Sequence, residues 1–163
     1  MGSDPKRTPI IFLDIDGVLN SGFLHPKLHY ATIDPVLARR LGMILEETDA
    51  RIVLISAWRY LVHGGSMTLS GLRALFLSHW IDGTKIIDIT RKDATKTRSD
   101  RGPQISEWLS ANPERVSRYL VIDNMDLEVT ACGHPLILVD GSIGLTDSNV
   151  AQAIFFLKEG VHP

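Results

Sequence analysis

Three short apolar runs in this sequence stop at residues able to do chemistry. Ile10-Ile11-Phe12-Leu13 stops at Asp14-Ile15-Asp16-Gly17, Arg51-Ile52-Val53-Leu54-Ile55 stops at Ser56, and Tyr119-Leu120-Val121-Ile122 stops at Asp123-Asn124. In a parallel sheet the carboxyl ends of the strands share one edge, so these groups can converge on one site. Three carboxylates within a few ångströms repel one another strongly, and a hard divalent cation is the usual remedy. Mg²⁺, which prefers one or two carboxylates together with waters and phosphate oxygens, suits the set better than an all-protein calcium cage. The chemistry indicated is that of phosphate at a metal. Taken singly, each group has plainer work. Asp-Gly at a strand end is an ordinary turn signal, a strand-end serine caps or faces solvent, and Asp123-Asn124 could cap the next helix.

The elements that would position these groups follow from periodicity. Ile10–Ile15, Arg51–Ser56, Lys85–Ile89, Tyr119–Asp123 and Pro135–Val139 read as five short buried strands. Between them, Asp34-Pro35 reads as an N-cap and first helical residue, opening a helix that ends near Thr48 or Asp49. A second helix is expected from about Thr68 to His79. A third is opened by Pro103, carries Ile105, Trp108 and Leu109 inward, and is stopped by Asn112-Pro113. The last is capped near Thr146 or Asp147 and carries Val150, Ile154, Phe155 and Leu157 to Gly160. Arg91–Gly102 is charged and reads as an exposed loop. Strands alternating with amphipathic helices predict an α/β three-layer sandwich around a mainly parallel five-stranded sheet. The prediction is one domain over residues 1–163, with 1–8 as a flexible N-terminal segment.

Composition removes several classes. A net charge of −2 over 163 residues argues against a protein that coats nucleic acid, though not against a local basic patch. A single cysteine leaves no disulfide framework and suggests a reducing compartment. Cys132 is no Cys-x5-Arg nucleophile, because position 138 is leucine. His25 and His29 lack the third ligand of a zinc hydrolase, and the chain has no Gly-x4-Gly-Lys-[Ser/Thr] loop. No apolar run approaches the roughly 20 residues that cross a bilayer, and the N-terminus has no signal-like apolar stretch. A cytoplasmic location with no membrane partner is the expectation.

Phe12-Leu13-Asp14-Ile15-Asp16-Gly17-Val18-Leu19-Asn20 resembles the first motif of the haloacid dehalogenase (HAD) superfamily of phosphotransferases. Ile55-Ser56 resembles its second motif and Val121-Ile122-Asp123-Asn124 its fourth. The third, a cation at a helix start, is best matched by Arg101, with Lys92 and Lys96 as competitors in the same loop. The resemblance spans about Pro9 to Leu157. It implies a HAD-like, Rossmannoid fold and a phosphomonoester hydrolase in which Asp14 is the nucleophile, forming an aspartyl-phosphate, and Asp16 the general acid and base. It implies that Ser56 and Arg101 hold phosphate oxygens. Mg²⁺ would be held by Asp14, the backbone carbonyl of Asp16 and Asp123, with Asn124 in the outer shell. The fourth motif commonly carries two acids, so Asn124 is a departure that bears on metal affinity rather than reaction type.

A narrower resemblance, carried by Ile55-Ser56-Ala57-Trp58-Arg59, Arg101-Gly102 leading into Ile105-Ser106-Glu107-Trp108-Leu109, and Gly144-Leu145-Thr146, is to the small HAD domains associated with RNA-repair proteins. The chain is also similar to the phosphatase half of polynucleotide kinase/phosphatases. This implies a phosphorylated nucleotide or polynucleotide 3′-end as substrate, with Trp58 stacking on a base, Arg59 reaching the substrate, and Arg91, Lys92, Lys96, Arg98 and Arg101 forming a basic loop. Too few residues separate Asn20 from Asp34 for a folded cap, so no large cap domain is expected and the site should be open to a bulky substrate. Two alternatives stand beside this reading. One is a small-metabolite phosphatase of the same mechanism. The other is a non-catalytic phosphate-binding or signalling domain on the same scaffold.

Overall fold

The computed structural model of the protein describes residues 7–21, 32–91 and 100–160. Along β1 (Thr8–Leu13) the side chains alternate: Ile11 and Leu13 enter one apolar cluster, Ile10 and Phe12 the other. All four are fully buried, as expected for a strand covered on both faces. β2 (Arg51–Leu54) and β4 (Val116–Asp123) flank β1, while β3 (Ile86–Ile89) and β5 (Leu136–Leu138) form the edges. The order is β3-β2-β1-β4-β5 and all four pairings are parallel.

The larger layer contains α1 (Pro35–Thr48), α3 (Leu69–Ser78) and α5 (Asp147–Glu159), which bury Leu37, Leu41, Leu72, Phe76, Val150 and Leu157 against the sheet. On the other face α4 (Arg101–Ala111) brings Ile105 and Trp108 against Phe12 and Val121, with Val129 beside them. Trp108 meets the Phe12 ring edge-on, with centroids 5.5 Å apart. The Asp34 carboxylate accepts from the N–H groups of Val36 and Leu37 and starts α1, with Pro35 in its first turn. Thr146 and Asn149 form a reciprocal capping box at the start of α5.

The structure departs from the sequence expectations at element ends. β1 stops at Leu13, so Ile15 lies in the following turn, and β4 starts at Val116 rather than Tyr119. The helix expected to open at Pro103 begins at Arg101, which removes Arg101 and Gly102 from the charged loop. Proline is tolerated there because an N–H in the first turn has no intrahelical partner to lose. A short helix, α2 (Arg59–His63), follows the β2 turn. In α5, Phe155 faces out and Phe156 is buried, because the inward stripe runs through Val150, Ala153 and Leu157. Among the described residues no cap domain stands over the sheet, and no helix is long and apolar enough to cross a membrane. His25, His29, Lys92, Lys96 and Arg98 lie outside the described residues, as does most of the N-terminal segment.

Candidate active site

The chain leaves β1 for β2 on one side and later returns to place β4 on the other side, so the strand order reverses between β1 and β4. In open parallel sheets a crevice forms beyond the carboxyl ends at such a point. The ladders continue past the strand ends: Asp14 N–H donates to the Ile122 carbonyl and Ile55 N–H to the Leu13 carbonyl, each at 3.0 Å. Asp14, Ser56 and Asp123 are thereby held at one edge. Arg101 reaches them from the first turn of α4.

Among the described residues, Arg101 supplies a cation to this site. Its Nη1 pairs with Asp123 Oδ2 and lies 3.7 Å from Asp14 Oδ1. One guanidinium thus faces two buried carboxylates. Burial, with the Asp123 charge second, pushes Asp14 up to about 7 against the opposing pull of Arg101. Asp123 is also raised by burial, again opposed by Arg101 and by N–H donors from Met125 and Asn124. Both shifts are led by burial, which disfavours the charged form; Asp14 alone is raised further by neighbouring carboxylates, Asp123 and Asp16. Gly102 permits this placement of α4, since a Cβ there would stand 2.2 Å from the Glu128 carbonyl oxygen.

Asp16 is turned the other way. Its Oδ1 accepts from Trp58 Nε1 at 2.9 Å and from Asn20 Nδ2 at 3.1 Å. Asn20 is itself fully buried, its Oδ1 taking the Gly17 N–H at 3.0 Å and its Nδ2 also reaching the Thr32 carbonyl at 3.0 Å. Gly17 adopts φ +84°, the left-handed turn that re-aims the chain between Asp16 and Asn20.

The Asn124 amide sits against the remaining oxygens. As an NH₂ group it donates to Asp14 Oδ2 at 3.1 Å and to the Asp16 carbonyl at 3.0 Å. Rotated by half a turn, it offers an oxygen at the same point. Adjacent ligands of octahedral Mg²⁺ stand about 3 Å apart, the distance Asn124 keeps from both oxygens. The space is made by two glycines, because a Cβ on Gly17 or Gly141 would come within 2.6 or 2.7 Å of the Asn124 amide nitrogen. A donor set of one carboxylate, one main-chain carbonyl and one amide oxygen, beside uncompensated negative charge, fits a hard cation. The expected set had Asp123 in the place that Asn124 takes in this one. Among the described residues no three or more His, Cys, Asp or Glu side chains are grouped to hold a metal. The sequence reading put Asp123 on the cation and Asn124 behind it; the structure pairs Asp123 with Arg101 and sets Asn124 against the Asp14 and Asp16 oxygens.

Ser56 lies two residues past the end of β2 and is fully buried, its hydroxyl accepting from Trp58 N–H at 3.3 Å. The structure does not bring Trp58 and Arg59 to a substrate surface. The Trp58 ring packs into the larger apolar cluster, and so offers no open face for a base. Arg59 is buried, its Nη1 donating to the Ile55 and Ser56 carbonyls, its Nε to the Arg91 carbonyl, and its Nη2 to Gln104 Oε1. Arg91 forms ion pairs with Glu107 and, at 4.0 Å, Asp100. Asn20 and Gln104 were not singled out from sequence. The signal for Asn20 was its place four residues after Asp16, where an amide can return to the carboxylate; Gln104 carried none.

Residues 10–150 match the family model described as the HAD domain in Swiss Army Knife RNA repair proteins. No curated protein and no solved structure matches the chain.

Proposed function

Because the chain belongs to the HAD domains of Swiss Army Knife RNA repair proteins, whose superfamily is one of phosphatases, we propose that it is a Mg²⁺-dependent hydrolase of phosphorylated nucleotide or polynucleotide 3′-ends acting through an aspartyl-phosphate. The observation that carries the reaction type is the pairing of Asp14 with Arg101 and Asn124 at the β1–β4 switch point. One carboxylate oxygen lies 3.7 Å from a guanidinium nitrogen and the other 3.1 Å from the amide.

In this reading an Asp14 oxygen attacks phosphorus, forming the acyl-phosphate as the ester P–O bond breaks. Asp16 gives its proton to the departing oxygen and is left as a carboxylate. Asp16 then takes a proton from water, whose oxygen attacks the same phosphorus and releases inorganic phosphate and free Asp14. Ser56 and Arg101 bind the phosphoryl oxygens, and Arg101 opposes the charge that develops on them. Asp14, the Asp16 carbonyl and Asn124 would hold Mg²⁺, with Asp123 keeping Arg101 in place; when bound, the ion offsets the negative charge between phosphate and carboxylates. Monoester hydrolysis can require up to ~10²¹-fold acceleration, roughly 28 kcal/mol, so a lone carboxylate is insufficient and cation, metal and acid must act together.

The polynucleotide end rests on the family description and on the absence of a cap among the described residues. One observation favours a second reading, a small-ester phosphatase: Trp58 and Arg59 are both engaged inside the fold. The test is phosphate release with Mg²⁺ from a 3′-phosphorylated oligoribonucleotide, its 5′-phosphorylated isomer and a mononucleotide 3′-phosphate, each at two salt concentrations. A higher kcat/KM for the 3′-oligonucleotide that falls with salt supports the polynucleotide reading. Preference for the mononucleotide supports the second. Undiminished turnover by Asp14→Asn, or after full chelation, overturns the mechanism or the metal.

A further inference from the structure

We infer that Trp58 is a positioning residue that fixes the Asp16 carboxyl so that only Oδ2 can carry and deliver a proton; the inference rests on the acid–base role proposed for Asp16. A carboxyl oxygen has two lone pairs in the carboxyl plane. Oδ1 of Asp16 receives two N–H donors, from Trp58 Nε1 at 2.9 Å and Asn20 Nδ2 at 3.1 Å. A hydrogen placed on Oδ1 would face those donors and force at least one hydrogen bond to break. The protonated acid is therefore held as a single tautomer with its O–H on Oδ2.

Neither donor is free to follow the carboxyl if it turns. Trp58 is packed among buried apolar side chains, 9 % exposed, in the turn after β2. Its backbone N–H is tied to the Ser56 hydroxyl at 3.3 Å. Asn20 is fully buried and engaged at both ends of its amide. Asp16 is half-buried, whereas Asp14, Ser56, Arg101 and Asp123 are all buried, so of these residues it is the one most open to solvent. Trp58 thus links the segment carrying the phosphate-binding serine to the segment carrying the acid, across 42 residues of chain. Its ring serves the core and its N–H serves the site.

In the first step the proton passes from Asp16 Oδ2 to the ester oxygen while the ester P–O bond breaks and the Asp14–phosphorus bond forms. The alcohol leaves neutral. An activated aryl ester leaves as a stable phenolate and needs little of this help, whereas an alkyl ester needs all of it. kcat/KM reports only the steps through departure of the alcohol, which separates the acid role from the later base role.

The experiment compares wild type and Trp58→Phe, which keeps an aromatic ring, smaller than the indole, and removes the N–H, on 2,4-dinitrophenyl phosphate and on a ribonucleoside 3′-phosphate with Mg²⁺. A positioned general acid supplies roughly 10²–10⁴-fold, so its loss of aim should cost kcat/KM about tenfold more on the alkyl than on the aryl ester. Equal losses on both esters would reduce Trp58 to packing and overturn the inference while leaving the phosphatase reading intact. Failure of wild type to hydrolyse either ester would overturn that reading first. Should Trp58→Phe not fold, ¹⁵N spectra of Asp16→Ala decide the matter. One of the three indole N–H signals, that of Trp58, is expected to shift and lose protection, and an unmoved Trp58 signal would overturn the inference.

Discussion

Removing the Arg101 guanidinium should destabilise the protein by an amount the geometry sets. The Arg101 side chain is 10 % exposed, against 5 % for Asp14 and 0 % for Asp123, so the cluster is out of water. Deleting one partner of a buried ion pair costs about 3–5 kcal/mol, mostly because the surviving charge is left unpaired. For a domain of this size each kcal/mol moves the midpoint by roughly 2–4 °C, so Arg101→Met should melt roughly 6–20 °C below wild type. Adding Asp123→Asn removes the directly paired one of the two charges left behind, with Asp14 remaining. The double variant should regain at least half of the loss, because an isosteric replacement of a whole buried pair is often close to neutral. Thermal unfolding of wild type, both single variants and the double variant, all with chelator, measures the coupling. A loss below about 2 °C in Arg101→Met, or strict additivity in the double variant, would refute the buried counter-ion argument.

Three further outcomes are expected. His134 is buried between the Gly102 carbonyl, the Ser106 hydroxyl and Tyr119 Oη, and burial holds its pKa below the usual 6.5. Below pH 6.5 the unfolded chain therefore takes up a proton that the folded state resists, and stability falls as pH drops. Urea unfolding at pH 7.5 and 5.0 should show His134→Gln losing less than wild type, and equal losses would contradict this. Gly102→Ala should cost about 1–3 kcal/mol, because its Cβ meets main chain at Glu128 rather than a flexible side chain. It should also lower activity by shifting Arg101; full activity would mean that α4 relaxes without moving its first residue. Asp34→Ala should cost about 1 kcal/mol by denatured-state titration, since two N–H groups of α1 lose their acceptor. A loss below about 0.3 kcal/mol would show that those groups are served by water instead.

The strand ends and the polar groups on them were legible because each is a local pattern: a buried run, then Asp-x-Asp-Gly, Ser or Asp-Asn. Asp34-Pro35 and Thr146 were legible for the same reason, since a cap is chemistry between near neighbours. What sequence could not give was the direction in which polar side chains point. Trp58 and Arg59 closely follow Ser56, the expected phosphate ligand, and invite a substrate role. Yet the partners that decide their orientation, Asp16 and Gln104, lie 42 and 45 residues away in the chain. Asp123 and Asn124 are adjacent, and which one meets Arg101 depends on how β4 ends against α4. The start of α4 was misplaced because proline usually marks the first helical residue, whereas here the close approach of Gly102 to Glu128 draws two earlier residues into the helix.

Arg59 gives this arrangement a mechanical character. Its planar fork joins the last carbonyls of the β2 segment, the carbonyl of Arg91 and the amide of Gln104 on α4. Gln104 in turn donates to Asp100, the residue before Arg101. Ser56 and Arg101, to which the proposed function gives the phosphate oxygens, are therefore set at a spacing fixed by a third residue. Lysine could not keep that spacing, because it offers a point charge in place of the fork. Under the proposed function, the distance across which a phosphoryl group must fit is therefore set by Arg59 and Gln104, neither of which would touch it.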